Sequence, residues 1–276
     1  PVTSTSPSGP SSPSPSGSTA ATRGSAVPRP DHVVVVVLEN RSYAQIVGQP
    51  EASFLNSLER AAAVFTRSYA LTHPSQPNYL ALFSGSTQGI TDDSCPVRFD
   101  TGNLGRSLLD AGRTFAGYSE DLPSTGYTGC RAAGYARKHN PWADFANLPA
   151  SVNKPMSAFP SVFTELPTVS FVVPNLANDL HDGTLAQADR WLRAHLGGYA
   201  AWAARHNSLL VITTDEDDAS GDNRIATLIF GARVPPGRYP QRIDHYSLLR
   251  TIEDAYGLPP LGASAQARPI TAIWSQ

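Results

Sequence analysis

The stretch from His32 to Asn40, HVVVVVLEN, decides the fold class because its apolar run is short, continuous and β-branched. An uninterrupted run of valines is typical of a strand buried on both faces, and a parallel sheet with helices on both sides provides such burial. The run is too short to span a membrane. It ends in Glu39 and Asn40, so the predicted strand brings a carboxylate to one edge of the sheet.

Further apolar segments along the chain repeat this arrangement. We predict helices in SFLNSLERAAAVFTRSYA, PSQPNYLALFSG, LAQADRWLRAHLGGYAAWA and DHYSLLRTIEDAYGL. We predict strands in RTFAGYSED, TVSFVVPNLANDLHDG, SLLVITTDEDD and ATLIFGARVPPG. Strands that alternate with helices indicate an α/β fold, with a mainly parallel central sheet and helices on both of its faces.

The composition sets limits on domain organisation and partners. The chain has 276 residues, a net charge of -2 and a pI near 6.4, so charge gives no indication of nucleic-acid binding. Residues 1–29 are mostly Ser, Thr, Pro and Gly, which cannot bury enough apolar surface to offset their ordering entropy. We predict a disordered linker over 1–29 and one folded domain over 30–276. We find no apolar stretch long enough for a transmembrane segment.

Two cysteines, Cys95 and Cys130, lie in Gly-, Pro- and Ser-rich sequence that we expect to form exposed loops. The N-terminal composition indicates a secreted or cell-surface chain, a setting in which disulfides form. We therefore favour a disulfide over the alternative of two unrelated buried thiols. Neither cysteine belongs to a Cys-x-x-Cys pair, which argues against a metal site built on them.

Polar residues follow the carboxyl ends of four predicted strands. They are Glu39 with Asn40, Glu120 with Asp121, Asp179 with His181 and Asp182, and Asp215 with Glu216. In an open α/β sheet these ends meet at one edge, which is where ligands bind. Asp215 and Glu216 directly follow the apolar segment SLLVI, so we expect them to be partly buried, and buried like charges favour a divalent cation. The alternative is a solvated acidic loop.

The segment THPSQPNYLALFSG places a hydroxyl at the start of a predicted helix. Unpaired backbone N–H groups and the helix dipole favour negative charge there, so Ser75 could be a nucleophile that also holds a phosphoryl oxygen. Thr72 is an alternative nucleophile in the same segment. The simplest alternative is that Ser75 only caps the helix.

Histidines with polar neighbours are the remaining candidates for chemistry. They are His73, His139, His181 and His245. His181 and His245 lie next to carboxylates that could orient the ring or share a metal, and Lys138 beside His139 would suit a phosphate. For any one of these histidines, a role on the surface or in a satisfied core is the alternative.

Five motifs, LENRSY, HPSQPNYLALFSG, KHNPW, TTDEDD and DHYSLLRTIEDAYGL, occur in this order between His32 and Leu258. Together they resemble the bacterial phosphoesterase family, which includes secreted acid phosphatases, phosphatidylinositol-3-phosphatase-like enzymes and bacterial phospholipases C. That family looks like a branch of the alkaline-phosphatase superfamily. The resemblance implies an alkaline-phosphatase-like fold and a phosphoesterase catalytic domain over 30–276.

Residue by residue, the resemblance implies one divalent metal ion, with Ca, Mg, Mn and Zn as candidates. Its ligands would be Glu39, Asn40, Asp215, Glu216 and the oxygen of Ser75. Better-known relatives with two metals have Asp-His where this chain has Asp215 and Glu216, which favours one metal. The segment SQPNYLALFSG is also similar to the nucleophile segment of nucleotide pyrophosphatases, and that similarity selects Ser75 over Thr72.

The same resemblance implies contacts to phosphate from Asn78, His139, His181 and His245. His181 is our candidate for the acid that protonates the leaving group. We therefore expect a phosphomonoesterase, an acid phosphatase, that forms a phosphoserine and acts on a phosphorylated small molecule or a phosphoinositide head group. A phospholipase C-type phosphodiesterase and a non-catalytic surface binding module are the alternatives.

Overall fold

The computed structural model describes residues 1–4 and 27–274. The predicted disordered linker over 1–29 therefore falls mostly outside the described residues. Val27 is buried, and the Tyr256 hydroxyl donates to the carbonyl of Pro30, so packing against the domain begins before residue 30. Within the described ranges, no helix combines the length and the apolar character needed to cross a bilayer.

The described part of the chain alternates strands and helices. The helices are α1 (Tyr43–Ile46), α2 (Ser53–Glu59), α3 (Ser75–Ser84), α4 (Leu104–Asp110), α5 (Leu185–Ala203) and α6 (His245–Tyr256). The strands are β1 (His32–Leu38), β2 (Ala63–Tyr69), β3 (Phe115–Ser119), β4 (Arg131–Ala132), β5 (Tyr135–Ala136), β6 (Asn153–Pro155), β7 (Val169–Val173), β8 (Ser208–Thr214), β9 (Arg224–Ile225), β10 (Thr227–Phe230) and β11 (Gly237–Asp244).

The central sheet has nine strands in the order β11-β2-β10-β8-β1-β7-β3-β6, with β9 paired to β2. β1 lies in the interior and pairs in parallel with both β7 and β8. β10 is antiparallel to both of its neighbours, so the sheet is mainly parallel, as the sequence predicts. Successive side chains of β1 point to opposite faces. One core includes Val33, Val35 and Val37, and the other includes Val34, Val36 and Leu38.

Helices cover both faces of the sheet. On one face the core includes Leu80 of α3, Leu104 of α4 and Leu249 of α6. On the other face it includes Leu55 of α2 and Leu192 of α5. The predicted α/β architecture is therefore confirmed. It leaves the carboxyl edge of the parallel strands open to the loops that carry the candidate site.

One predicted element is wrong in its second half. The spacing in SFLNSLERAAAVFTRSYA predicts one helix, but α2 ends at Glu59 and the segment Ala63–Tyr69 forms β2. β2 lies between β10 and β11, and its Val64 and Phe65 belong to the cores on opposite faces. Val, Phe, Thr and Tyr favour strands, and pairing on both edges outweighs the local helical spacing.

β11 has no counterpart in the sequence prediction. It is an edge strand that contains Pro240, and its register with β2 shifts between Tyr239 and Arg242. Proline cannot donate to a ladder and is tolerated at a sheet edge or a bulge. Exposed residues alternate with partly buried ones along most of β11, so no apolar run marks the strand in the sequence.

Candidate active site

The site is built around Ser75, the first residue of α3. Pro74 occupies the N-cap position, so Ser75 is inside the helix and does not serve as its cap. All ten residues of α3 are buried, which means that the Ser75 hydroxyl faces protein groups. The helix begins shortly after β2 ends at Tyr69, and this connection brings the hydroxyl to the edge of the sheet where β1 and β8 also end.

Side-chain oxygen atoms from two strand ends surround the Ser75 hydroxyl. Its Oγ lies 3.0 Å from Glu39 Oε2, 3.0 Å from Glu216 Oε1 and 3.5 Å from Asn40 Oδ1. The backbone N–H of Asn40 donates to Asp215 Oδ1 at 3.1 Å, which fixes a further carboxylate beside them. A hydroxyl has one proton and can satisfy one acceptor at a time. The remaining oxygen atoms face one another without donors, which fits a bound cation.

A second set of buried groups meets the first at Glu39. Glu39 Oε1 lies 3.3 Å from His139 Nε2, and Asp179 Oδ2 lies 3.3 Å from His139 Nδ1. One ligand atom from each of these three residues lies within 4.8 Å of the others. Asp179 Oδ2 and His139 Nε2 make no hydrogen bond within the described part of the chain. These buried, unpartnered atoms also fit a metal ion.

Burial shifts the pKa of most groups in the site. Desolvation, followed by repulsion from neighbouring carboxylates, raises the pKa of Glu39 and of Asp215 well above the ordinary range. Desolvation also raises the pKa of Glu216, and it raises that of Asp179 to about 7. Burial lowers the pKa of His139 well below its ordinary value, so its ring is neutral and can act as a ligand. A divalent cation would offset the negative charge of these buried carboxylates.

Tyr79 lies one turn after Ser75 in α3 and forms a hydrogen bond with Glu39. Its hydroxyl donates to Glu39 Oε1, and its ring stacks on that of His139 with centroids 5.2 Å apart. Residues four apart lie on the same face of a helix, so Ser75 and Tyr79 reach the same carboxylate. The sequence analysis missed Tyr79 as a site residue, although its spacing from Ser75 is a usable signal.

His181 lies at the more accessible side of the cluster. Its Nδ1 is 2.8 Å from Asp182 Oδ1, and its Nε2 is 3.4 Å from Lys138 Nζ. Its ring centroid is 5.8 Å from that of His139, and its side chain is 29% exposed. The backbone N–H of His181 donates to Asp179 Oδ1 at 2.8 Å, which links it to the buried acids. The His181 ring therefore contacts the buried cluster on one side and is accessible to solvent on the other.

The other two predicted phosphate contacts bind backbone atoms in this structure. His245 is buried, and its Nε2 lies 2.6 Å from the carbonyl oxygen of Asp215. The amide of Asn78 accepts from the N–H groups of Leu71 and Thr72 and donates to the carbonyls of Thr72 and Pro74. Both residues thus support the segments that carry Asp215 and Ser75, and their contact with phosphate stays a prediction.

The acidic run after β8 does not behave as one solvated loop. Asp215 and Glu216 are buried and face the Ser75 site, and Glu216 Oε2 also contacts His73 Nδ1. Asp217 is buried as well, with Oδ1 3.3 Å from His73 Nε2. Only Asp218 among these four acids is exposed. The burial expected for Asp215 and Glu216 is therefore observed.

Glu120 and Asp121 lie near the same edge but support a loop. Glu120 Oε2 accepts from the backbone N–H of Asn175 and from the side chain of Asn178, both at 2.9 Å. Asp121 Oδ2 accepts from the side chain of Asn175 at 2.9 Å. These contacts fix the loop between β7 and Asp179.

A disulfide joins Cys95 and Cys130, whose Cα atoms are 5.9 Å apart, so the predicted pairing is confirmed. The buried Arg137 strengthens the same connection, because it donates to the carbonyls of Val97 and Thr128. The two contacts attach the loop that contains Cys95 to the segment that precedes Lys138. The attached loop also contains Asp93, whose Oδ1 accepts the backbone N–H of Gln76 in the first turn of α3.

Comparison with known proteins gives consistent matches. The model of the Phosphoesterase family matches residues 49–259. A phosphatidylinositol-3-phosphatase of Mycobacterium tuberculosis is 53% identical over 253 residues, which cover 91% of this chain and 85% of that protein. A probable acid phosphatase of Kluyveromyces lactis is 30% identical over 83% of this chain but only 58% of its own length.

A solved structure supports the fold. A protein of the alkaline phosphatase superfamily from Vibrio parahaemolyticus has a TM-score of 0.61 and 13% identity to this chain. The match covers 91% of this chain and 72% of that protein. The likeness concerns the fold alone, and it confirms the alkaline-phosphatase-like architecture expected from the sequence.

Proposed function

Because this chain belongs to the phosphoesterase family and is a hydrolase of phosphoric esters, we propose that it is a metal-dependent phosphomonoesterase with Ser75 as nucleophile. The observation that carries the proposal is the Ser75 hydroxyl at a helix start, 3.0 Å from both Glu39 and Glu216. The relatives named as phosphatases favour a monoesterase over a phospholipase C-type phosphodiesterase. Family membership and the buried cluster together argue against a non-catalytic binding module.

One divalent cation is part of this proposal. The residues that would hold it are Glu39, Asn40, Asp215, Glu216 and the oxygen of Ser75. Carboxylate, amide and hydroxyl oxygens suit Ca²⁺, Mg²⁺ or Mn²⁺, and Zn²⁺ accepts oxygen and nitrogen ligands. His139 and Asp179 adjoin the same carboxylate and would complete the surroundings of the ion. When bound, the ion would lower the pKa of the serine hydroxyl and offset the buried negative charge.

The chain's own residues account for the remaining steps. The Ser75 hydroxyl loses its proton to solvent, and its Oγ attacks phosphorus in line with the leaving alcohol. The new O–P bond gives a phosphoserine as the bond between phosphorus and the leaving alcohol breaks, and Ser75 takes up a proton again when water displaces it from phosphorus. Glu39 and Glu216 orient the attacking oxygen from two sides. The ring of His181 donates a proton to the departing alkoxide and then accepts one from the water that hydrolyses the phosphoserine. The product is inorganic phosphate, and Ser75 is restored.

The substrate class and the compartment follow from separate observations. The relative with 53% identity is named a phosphatidylinositol-3-phosphatase, so we include phosphoinositide head groups among the proposed substrates. The disulfide between Cys95 and Cys130 supports an extracytoplasmic location, because disulfides persist in oxidising compartments. Release of phosphate from a water-soluble phosphatidylinositol 3-phosphate would test the first point. The redox state of these cysteines in protein taken from its native source would test the second.

The decisive experiment measures hydrolysis of p-nitrophenyl phosphate by chelator-treated protein to which divalent cations are returned one at a time. We expect activity only with cation, and we expect Ser75→Ala to lose roughly 10⁴-fold or more in kcat. Ser84→Ala is the matched control, because Ser84 is a buried serine at the other end of α3 that donates to the carbonyl of Leu80. It should keep its activity.

Two outcomes would contradict the proposal. Wild-type activity in Ser75→Ala would exclude Ser75 as the nucleophile, and full activity after chelation would exclude the metal requirement. If bis-p-nitrophenyl phosphate were hydrolysed faster than the monoester under every cation, the phosphodiesterase alternative would replace the monoesterase.

A further inference from the structure

Lys138 is a cation placed beside a group of acids. The chain has 21 Lys and Arg residues, and only two of them, Lys138 and Lys154, are lysines. Its side chain is 14% exposed, and its Nζ lies 2.7 Å from Asp93 Oδ2 and 3.4 Å from His181 Nε2. An ammonium group is a compact point charge that makes few geometric demands, and it is a common ligand of phosphoryl oxygens.

Asp93 connects Lys138 to the helix of the nucleophile. Its Oδ1 accepts the backbone N–H of Gln76 at 3.0 Å, and its Oδ2 binds Lys138. Gln76 directly follows Ser75, so one carboxylate joins the first turn of α3 to the ammonium group. Lys138 is therefore linked to the start of α3 through Asp93, and it lies beside His181, the proposed proton donor.

Lys138 also adjoins the buried acids along the chain. It directly precedes His139, whose Nε2 lies 3.3 Å from Glu39 Oε1 and whose Nδ1 lies 3.3 Å from Asp179 Oδ2. Glu39 Oε2 in turn lies 3.0 Å from Ser75 Oγ.

We propose that Lys138 is a specificity-determining residue that binds a non-bridging oxygen of a phosphomonoester and thereby favours monoesters over diesters. The proposal rests on the phosphomonoesterase function proposed above. A monoester has three non-bridging oxygens and a charge close to -2, whereas a diester has two such oxygens and a charge of -1. A cation that binds the additional oxygen stabilises the transition state of the monoester more than that of the diester.

Asp93 has a defined part in this arrangement. It holds the flexible lysine side chain in one position before the substrate binds, which reduces the rotamer freedom lost on binding. Asp93 is a positioning residue, since its two oxygen atoms bind Gln76 and Lys138. The alternative is that the ion pair only attaches the loop of Asp93 to the segment of Lys138. The experiment must separate this structural role from a contact with substrate.

The experiment compares Lys138→Met with the metal-loaded wild type on p-nitrophenyl phosphate and bis-p-nitrophenyl phosphate. We expect kcat/KM to fall about 100-fold for the monoester and about 3-fold or less for the diester. Lys138→Arg keeps the charge and should restore part of the preference. Lys154→Met removes the other lysine, which lies in β6, and is the matched control that should leave both rates unchanged.

Inorganic phosphate provides a second readout that does not depend on turnover of the diester. We expect the inhibition constant of inorganic phosphate to rise about 10-fold in Lys138→Met, because the bound phosphate loses its contact with the ammonium group. Equal losses on both substrates, or unchanged inhibition by phosphate, would overturn the proposal, since a purely supporting residue affects both substrates alike. A wild type without monoesterase activity would instead overturn the proposed function, and this inference with it.

Discussion

Glu39 is the residue on which the two halves of the site depend. Its Oε2 lies 3.0 Å from Ser75 Oγ, and its Oε1 accepts from the Tyr79 hydroxyl and lies 3.3 Å from His139 Nε2. A carboxylate whose two oxygens are both engaged cannot rotate freely. The direction in which Glu39 presents a lone pair to a cation is therefore set in part by Tyr79, which is not among the proposed ligands.

Tyr79→Phe tests this dependence. The change removes the hydrogen bond to Glu39 and keeps the ring that stacks on His139. We expect the affinity for the activating cation to fall about 10- to 100-fold, as measured by titration of chelator-stripped protein. Tyr199→Phe is the control, because its hydroxyl donates to the carbonyl of Leu209 instead. Equal cation affinity in Tyr79→Phe and wild type would show that Glu39 does not need this donor.

Asp179 should make the stability of the metal-free protein depend on pH. Its pKa is raised to about 7, mainly by desolvation, from about 3.9 in an unfolded chain. Between these values the folded protein binds a proton that the unfolded chain has released. The contribution of Asp179 to the free energy of unfolding is therefore fully present below about pH 4 and is lost as the pH rises through about 7.

Asp179→Asn isolates this contribution, since an amide does not titrate. We expect the variant to gain about 2–4 kcal/mol relative to wild type between pH 5 and pH 8, as measured by urea unfolding in the presence of chelator. A difference between the two proteins that stays constant over this range would mean that Asp179 ionises as it does in water. Added cation should remove the advantage of the variant at pH 8, because it offsets the charge of Asp179.

At the scale of elements, α3 determines where Ser75 lies. The helix is buried along its whole length, and Phe83 on its last turn packs against four aromatic rings. The ring centroids lie 5.3 Å to 6.3 Å away, in Phe115, Trp142, Phe145 and Phe171. These rings come from β3, from β7 and from the segment that follows Lys138, so the position of α3 is tied to three parts of the fold.

Phe83→Ala should therefore affect both stability and activity. We expect a loss of about 3–5 kcal/mol in the free energy of unfolding, because the change leaves a cavity among rigid rings. Activity at saturating substrate should fall as well, although Phe83 contacts none of the catalytic groups. Phe230→Ala, on the partly buried end of β10, should cost less in both measurements. A loss below about 1 kcal/mol in Phe83→Ala would mean that the neighbouring rings close the cavity.

The same elements show what the sequence can predict. β1 and α3 follow from the sequence because their local patterns agree with their tertiary roles. β2 and β11 do not, because they pair with each other from Ala63 and Gly237 onward, across a sequence distance that no local pattern reveals. A strand that depends on a distant partner carries a weak signal of its own.

Some contacts of the site can likewise be predicted from the sequence, and others cannot. Glu39 and Asp215 lie directly after apolar strands and Ser75 begins a helix, so their proximity could be predicted from the arrangement of an α/β sheet. The stacking of Tyr79 on His139 and the contact of Asp179 with His139 could not, because both depend on where the His139 ring lies. Such placement is a property of packing, which a sequence pattern does not contain.

At the scale of the whole molecule, the disulfide attaches the loop that contains Asp93 and Cys95 to the segment that precedes Lys138. Cys95 and Cys130 are 35 positions apart, and cross-linking a loop of that length stabilises a fold by about 3–4 kcal/mol. We expect the double variant Cys95→Ser, Cys130→Ser to lose about that much in urea unfolding. It should also lose part of its monoesterase activity, because the loop of Asp93 is released. Stability that does not change when wild type is treated with reductant would contradict this expectation.

The order of the strands also determines when the protein can be completed during synthesis. β1 comes before β7 and β8 in the chain, yet it pairs with both of them, and they begin only at Val169 and Ser208. Until β7 is made, this run of valines has no strand partner on either edge, and until β8 is made one edge stays unpaired; an unpaired edge of this kind favours aggregation. Glu39 and Asp215 cannot meet earlier either. The site therefore cannot assemble until β8 and the two acids that follow it have been made.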